Sequence, residues 1–371
     1  MNVDRAVHPR HGTHEPVTAT PDRRPGSVRR TTTFDMLRPD GVRKELVLVG
    51  RARDVATSLD GTATPLAEAT LDVVIDYLDA CRVREIRSTP PLPGLAALVG
   101  VSAATGFRAA ADAAVDVAAA KATPLYQLVD DVPVATLVSG YAVGFAVRTF
   151  GAGSGSPFAE MRRAEGMAAL QVADLCAGFQ TGGTIMQAQE ETGASPLVTG
   201  PRTPSVERPD DPWACHELAT LPFDAMRRRR RIDVAPGERD GTVEVDAHFR
   251  DSHMGPDGLE TTVHEYLVRA VVDLGAGTFV AARAEPRVLP WYECPQAAAS
   301  AARLVGRPLA TLRPSVRADF VGPTTCTHLN DTFRALEDVP SLAAAGVRVG
   351  TRHGEGTEPS MVPPFQRGGF R

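Results

Sequence analysis

The sequence predicts an α+β protein of two tandem related lobes, each a small antiparallel sheet with helices on one face. Three observations predict it. The same order of strand-like and helix-like segments occurs twice, about 200 residues apart. Alternation in Thr242–Phe249 and Leu267–Asp273 suits strands with one buried face. Alanine-rich stretches follow each set of strands, while aromatics make up only 5% of the 371 residues, so the cores should be helix-rich and built from small side chains.

The elements align in order. Arg29–Asp35 reads as a basic strand, Pro39-Asp40-Gly41 as a turn, and Glu45–Ala52 as a strand ending in Arg53-Asp54. Arg227–Val234, Arg239-Asp240-Gly241 and Thr242–Phe249, ending in Arg250-Asp251, repeat that order. Thr70–Leu78 and Arg82–Ser88 correspond to Tyr266–Asp273 and Thr278–Ala284. Each copy then runs through prolines into an alanine-rich helix ending in Leu-Val-Gly, at Leu98–Gly100 and Leu304–Gly306. A helix start follows at Leu125–Asp130 and at Cys326–Asp331, and each copy reaches Asp-Val-Pro. A period this long marks tandem domains, not a solenoid.

Five segments result. Residues 1–26 read as a disordered tail, 27–143 as a degenerate first copy with a scaffolding role, and 144–226 as a connector. The connector should hold a helix near Phe158–Ala177, a Gly182-Gly183 turn and a proline-rich stretch. Residues 227–342 form the second copy, and 343–371, rich in Gly, Pro and Arg, a second disordered tail. Arg227–Arg231 reads as a solvated edge at a domain boundary. His216 reads as an interdomain packing residue, and His248 and His253 as surface residues.

Net charge is −5, which argues against nucleic acid as a partner. No run approaches the roughly 18 apolar residues of a membrane span, and the polar start lacks a secretory h-region, so a cytoplasmic location is expected. Five irregularly spaced cysteines suit buried filler, metal ligands or a nucleophile better than disulfides. A small-molecule substrate is the expected partner, and a homo-oligomer is compatible with this reading. No glycine-rich nucleotide-binding loop occurs.

Histidine placement locates the chemistry. None of the nine lies between Glu15 and Cys215, so the first copy has none. The second copy carries His264, Cys294, Cys326 and His328 at loops and element ends. Thiol and imidazole from separate elements are the ligand types of a tetrahedral zinc site, which makes these four the expected metal ligands. A thiolate at the helix start of Cys326 should gain from the amide donors and the helix dipole, lowering its pKa. A zinc-dependent lyase or hydrolase is the first functional expectation. In it Asp331, Glu293 and Tyr292 would be proton-transfer groups; a nucleophilic Cys326 with His328 as base, oriented by Asp331 or Glu293, is another catalytic expectation. A non-catalytic scaffold that handles metal or sulfur is the second.

Arg230-Arg231-Ile232-Asp233, His264-Glu265, Cys294-Pro295, Leu304-Val305-Gly306 and the closing Cys326-Thr327-His328-Leu329 together carry a resemblance. On these residues the second half resembles a bacterial family, domain of unknown function 2889. The first half resembles it in framework only, with Leu125 and Gln127 in place of Cys326 and His328. A more distant similarity is to the scaffold proteins of iron–sulfur cluster assembly. It implies a strand ligand at His264, helix-start ligands at Cys294 and Cys326, and His328 as a local fourth.

Overall fold

The structure, a computed structural model, describes residues 13–41, 44–150, 173–192 and 196–352. Eight strands are present among the described residues: β1 (Val28–Leu37), β2 (Leu46–Thr57), β3 (Ala63–Asp76), β4 (Arg82–Thr89), β5 (Met226–Pro236), β6 (Thr242–Met254), β7 (Glu260–Asp273) and β8 (Thr278–Val288). They form one antiparallel sheet in the order β4-β3-β2-β1-β5-β6-β7-β8. The expected pair of separate small sheets is thereby corrected. Each four-stranded meander leaves its first strand with an open row of backbone donors and acceptors. β1 and β5 satisfy each other, from Val28 opposite Val234 to Met36 opposite Met226.

The two meanders share their irregularities. The β2–β3 ladder shifts register after Asp54, leaving Ala67 opposite Asp54 and Leu66 without a partner. The β6–β7 ladder shifts after Asp251, leaving His264 opposite Asp251 and Val263 without a partner. Arg30 of β1 stands opposite Asp54 and grips it with two hydrogen bonds, both of 2.7 Å. Arg228 of β5 stands opposite Asp251 and grips it at 2.9 and 2.8 Å.

Helices cover one face of the sheet. Pro124–Val138 lies on β1, β2 and β3, Val339–Arg352 crosses β1, β2 and β5, and Thr327–Ala335 reaches β7. The alanine-rich segments are three-ten turns, Leu95–Leu98 and Cys294–Leu304. One apolar core, with Ile232, Phe249, Tyr266, Phe279 and Phe333, lies under the second half. Another, with Phe34, Leu48, Leu71, Phe107 and Leu128, lies under the first.

A buried ionic layer separates the two cores. Along β1 the helix-facing side chains run Val28, Arg30, Thr32, Phe34, and along β5 they run Met226, Arg228, Arg230, Ile232. Arg30 adds Asp338 at 2.6 Å and the Ala122 carbonyl at 2.7 Å. Arg228 adds Asp331 at 3.2 Å, and Arg230 binds Asp131 at 2.5 and 3.2 Å. Arg334 pairs with Asp130, and Arg313 with Asp338. The arginine run is therefore not a solvated edge. β5 is a central strand, and burial is tolerated because carboxylates from the helices and neighbouring strands meet four of the five guanidinium groups.

The opposite face is covered by chain that the sequence leaves unstructured. Residues 13–26 form an extended strap, not a free tail. Val17 N donates to Glu265, the Val17 carbonyl accepts from Arg250, and Arg23 pairs with Asp211. The residues of the expected helix 158–172 lie outside the described residues; Ala177–Phe179 is a three-ten turn and Thr184–Thr192 a helix. The helix Val339–Arg352 occupies the start of the second expected tail, and residues 353–371 lie outside the description. The stretch Pro124–Ala146 is long and apolar enough to cross a membrane, yet 67% of its most apolar window is buried inside the fold.

His216 is buried as expected, with Nδ1 2.9 Å from Thr31 Oγ1 and Nε2 2.8 Å from Thr33 Oγ1. His248 and His253 are buried too, which corrects their expected exposure. His248 meets Glu265 at 2.5 Å, and His253 lies between Asp224 and the rings of Tyr141 and Phe145. Burial, helped by Arg53 and Arg229, holds His216 down at about 3, and burial holds His248 at about 4. Both pKa values are depressed, so acid protonates the unfolded chain first. Stability present above the ordinary value of about 6.5 should be lost as pH falls toward these folded values, at up to about 1.4 kcal/mol per pH unit for each proton. Urea melts across this range should show a shallower acid loss for His216→Asn. An identical slope would remove His216 from the account.

Candidate metal centre

The bulge in β7 aims His264. With Val263 left without a partner in the ladder, both Val263 and His264 line a cavity of about 200 Å³ beneath the helices. His328 enters from the first turn of Thr327–Ala335, and Cys326 stands at the N-cap. The two imidazole rings stack, with centroids 3.8 Å apart and planes 19° apart. His328 Nε2 lies 3.7 Å from Asp251 Oδ2. Ligand atoms of Asp251, His264 and His328 all fall within 4.8 Å of one another.

The electrostatics favour uncharged imidazoles. Burial, reinforced by Arg228, holds His328 at about 3. Burial and the neighbouring His328 hold His264 well below the usual histidine value. His264 Nδ1 is buried with no hydrogen-bond partner among the described residues. Arg228 fixes the Asp251 carboxylate while its guanidinium carbon lies 4.8 Å over the Phe249 ring.

The thiols surround the same cavity. Cys176, Cys294 and Cys326 all line it. Cys326 Sγ is 3.8 Å from His328 Nδ1. Gly178 lets the connector lie on the sulfurs: a Cβ there would come 3.0 Å from Cys294 Sγ and 4.0 Å from Cys176 Sγ. The expected low pKa at Cys326 is corrected, because burial outweighs the helix end and pushes the thiol up to about 12. Burial, with Cys326 and Cys176 nearby, also raises Cys294 well above its usual value.

Of the four expected ligands, His264 and His328 therefore meet, and their close third partner is Asp251. Cys294 and Cys326 stand in the cavity wall outside that group. Asp331 does not orient a histidine. It binds Arg228 and, at 3.4 Å, Arg108. Glu293 caps the helix Thr184–Thr192, accepting from Thr184 N at 2.8 Å and Thr184 Oγ1 at 2.9 Å. Asp251 was hidden because Arg250-Asp251 has a counterpart in the histidine-free half, which marks it as framework. Cys176 was hidden because it lies in the connector, which has no second copy.

Residues 226–341 match a protein-family model described as protein of unknown function (DUF2889). The second half carries a DUF2889 domain. The DUF2889 match includes Asp251, His264, Cys294, Cys326 and His328, and stops short of Cys176 and of β1–β4. No curated protein and no solved structure matches the chain.

Proposed function

We propose that the DUF2889 half holds a divalent transition metal, zinc in the first instance, on Asp251, His264 and His328. The protein would then act as a metal-dependent lyase or hydrolase on a small organic substrate. The observation that carries this reading is the mutual approach of those three ligand groups within 4.8 Å at the wall of a cavity. Two neutral imidazoles and a carboxylate are an ordinary zinc ligand set that leaves a coordination position open. A cation would also give the buried Nδ1 of His264 a role for its lone pair or reorient the ring to use Nε2.

When bound, such a metal supplies Lewis acidity and lowers the pKa of water. The chain's own residues do the rest. Arg228 orients Asp251, the stacked rings fix each other, and Trp291, Ile185, Val198 and Phe179 give the cavity apolar walls that exclude water. A substrate with an apolar body and one polar reacting group fits that lining.

A second reading, a non-catalytic scaffold for metal or sulfur, is favoured by the three thiols on the same cavity. The distant likeness to iron–sulfur scaffolds belongs to this reading. We also read the halves as copies of one unit, on the shared bulges and the paired Arg30·Asp54 and Arg228·Asp251. In the first half Ala67, Gln127 and Leu125 stand for His264, His328 and Cys326, so it would serve as scaffold. The five cysteines are free thiols, which suits a reducing cytoplasm.

Loading with Co²⁺ separates the readings. The proposed site should give one tightly bound ion per chain with visible d–d bands and no thiolate-to-cobalt charge-transfer band in the near ultraviolet. A strong charge-transfer band would transfer the metal to the cysteines and favour the scaffold. No stoichiometric binding would remove both.

A further inference from the structure

The strap-covered face of the sheet holds a second cavity of about 200 Å³, distinct from the metal centre and on the other side of β5 and β6. Arg227, Arg229 and Arg250 all line it, together with Ser252, Thr203 and Glu260. Two of the three arginines are neutralised. Arg227 grips Asp35 at 2.6 and 2.8 Å, and Arg250 donates to Glu265 at 2.8 Å and to the Pro204 and Val17 carbonyls.

Arg229 is the exception. It is 7% exposed, yet among the described residues no carboxylate, carbonyl or hydroxyl pairs with it. Its cross-strand neighbours are Thr33 and Arg250. Thr33 is engaged with His216, and Arg250 is itself a cation. Glu260 accepts from the Ser252 hydroxyl, and Glu207, also in the lining, is exposed at the rim. Burying a guanidinium without a counter-charge is strongly unfavourable, whereas every other buried arginine of β5 has its carboxylate.

We propose that this cavity binds a small organic carboxylate, whose oxygens pair with the Arg229 guanidinium. The planar fork of arginine matches a carboxylate with two parallel hydrogen bonds. The Ser252 hydroxyl is committed to Glu260 and that of Thr203 pairs with Thr262, so the carboxylate rests on Arg229, while Val206, Leu218 and Pro204 offer carbon surface for the organic part. Glu207 and Glu260 set the charge of the ligand. A monoanion tolerates them, while a phosphate dianion is repelled. The site lies on the face away from His264, so it is independent of metal binding.

Thermal melts of the full chain test this, with sodium propionate against sodium chloride and sodium phosphate at matched ionic strength. Propionate should raise the melting temperature of the wild type saturably, since it binds only the folded state. Arg229→Met should melt higher than the wild type in chloride alone, because it removes an unpaired buried charge. It should also show at least tenfold weaker response to propionate. Arg229→Lys, which keeps the charge and loses the fork, should keep the wild-type baseline and weaken the response. No saturable effect of propionate on the wild type would overturn the proposal, as would an undiminished response in the variants. A larger shift with phosphate than with propionate would overturn the carboxylate assignment.

Discussion

His264→Ala should abolish stoichiometric Co²⁺ binding while the protein stays folded. Loss of groups that merely orient a ligand weakens metal binding about 10–100-fold, and loss of a ligand should exceed that range. The fold should survive because His264 Nδ1 makes no hydrogen bond, and Ala67 occupies the matching place opposite Asp54 in the first half. His328→Gln should behave alike, since Gln127 stands at the corresponding position. Cys326→Ser should leave the visible cobalt spectrum in place, and Cys81→Ser should change nothing, since Cys81 is buried in the other core. Equilibrium dialysis against Co²⁺, with near-ultraviolet circular dichroism as the check on folding, reads all four variants. Retention of the ion by folded His264→Ala would end the assignment of that residue.

Asp131→Leu should destabilise the protein by about 3–5 kcal/mol, because it leaves Arg230 charged and buried without its carboxylate. Arg230 is 1% exposed, and Asp131 is its only carboxylate partner within ion-pair distance among the described residues. The pair joins the helix Pro124–Val138 of the first half to β5 of the second. Asp131→Leu with Arg230→Met should recover most of the loss, since a buried ion pair replaced by apolar groups is often neutral or better. Chemical denaturation of the two single variants and the double gives the coupling directly. A double variant as unstable as Asp131→Leu would show that the pair does not act as a unit.

The strands were legible because period-two alternation and the Asp-Gly turns are local signals. Thr242–Phe249 and Arg227–Val234 lie inside β6 and β5. The candidate centre was half legible. His264 and His328 stood out because no histidine lies between Glu15 and Cys215, which leaves the first copy without one. Asp251 did not, because its approach to His264 depends on the bulge that leaves Val263 without a partner. The helix end alone predicts a lowered thiol pKa at Cys326, and burial reverses it. That burial comes from β7, the connector and the three-ten segment closing over the sulfur.

The sequence by itself determined the order of elements, their twofold recurrence and the concentration of Cys and His in the second half. Those properties rest on interactions between residues close along the chain, or on composition. The tertiary structure decided that the two meanders share one sheet, because each needed a partner for its open first strand. It also decided the fate of the five-arginine run. A run of like charge is most often solvated, and only the arrival of Asp35, Asp251, Asp131 and Asp246 from distant segments makes burial of four of those cations feasible. Charge compensation is a property of three-dimensional neighbours, and no spacing along the chain encodes it.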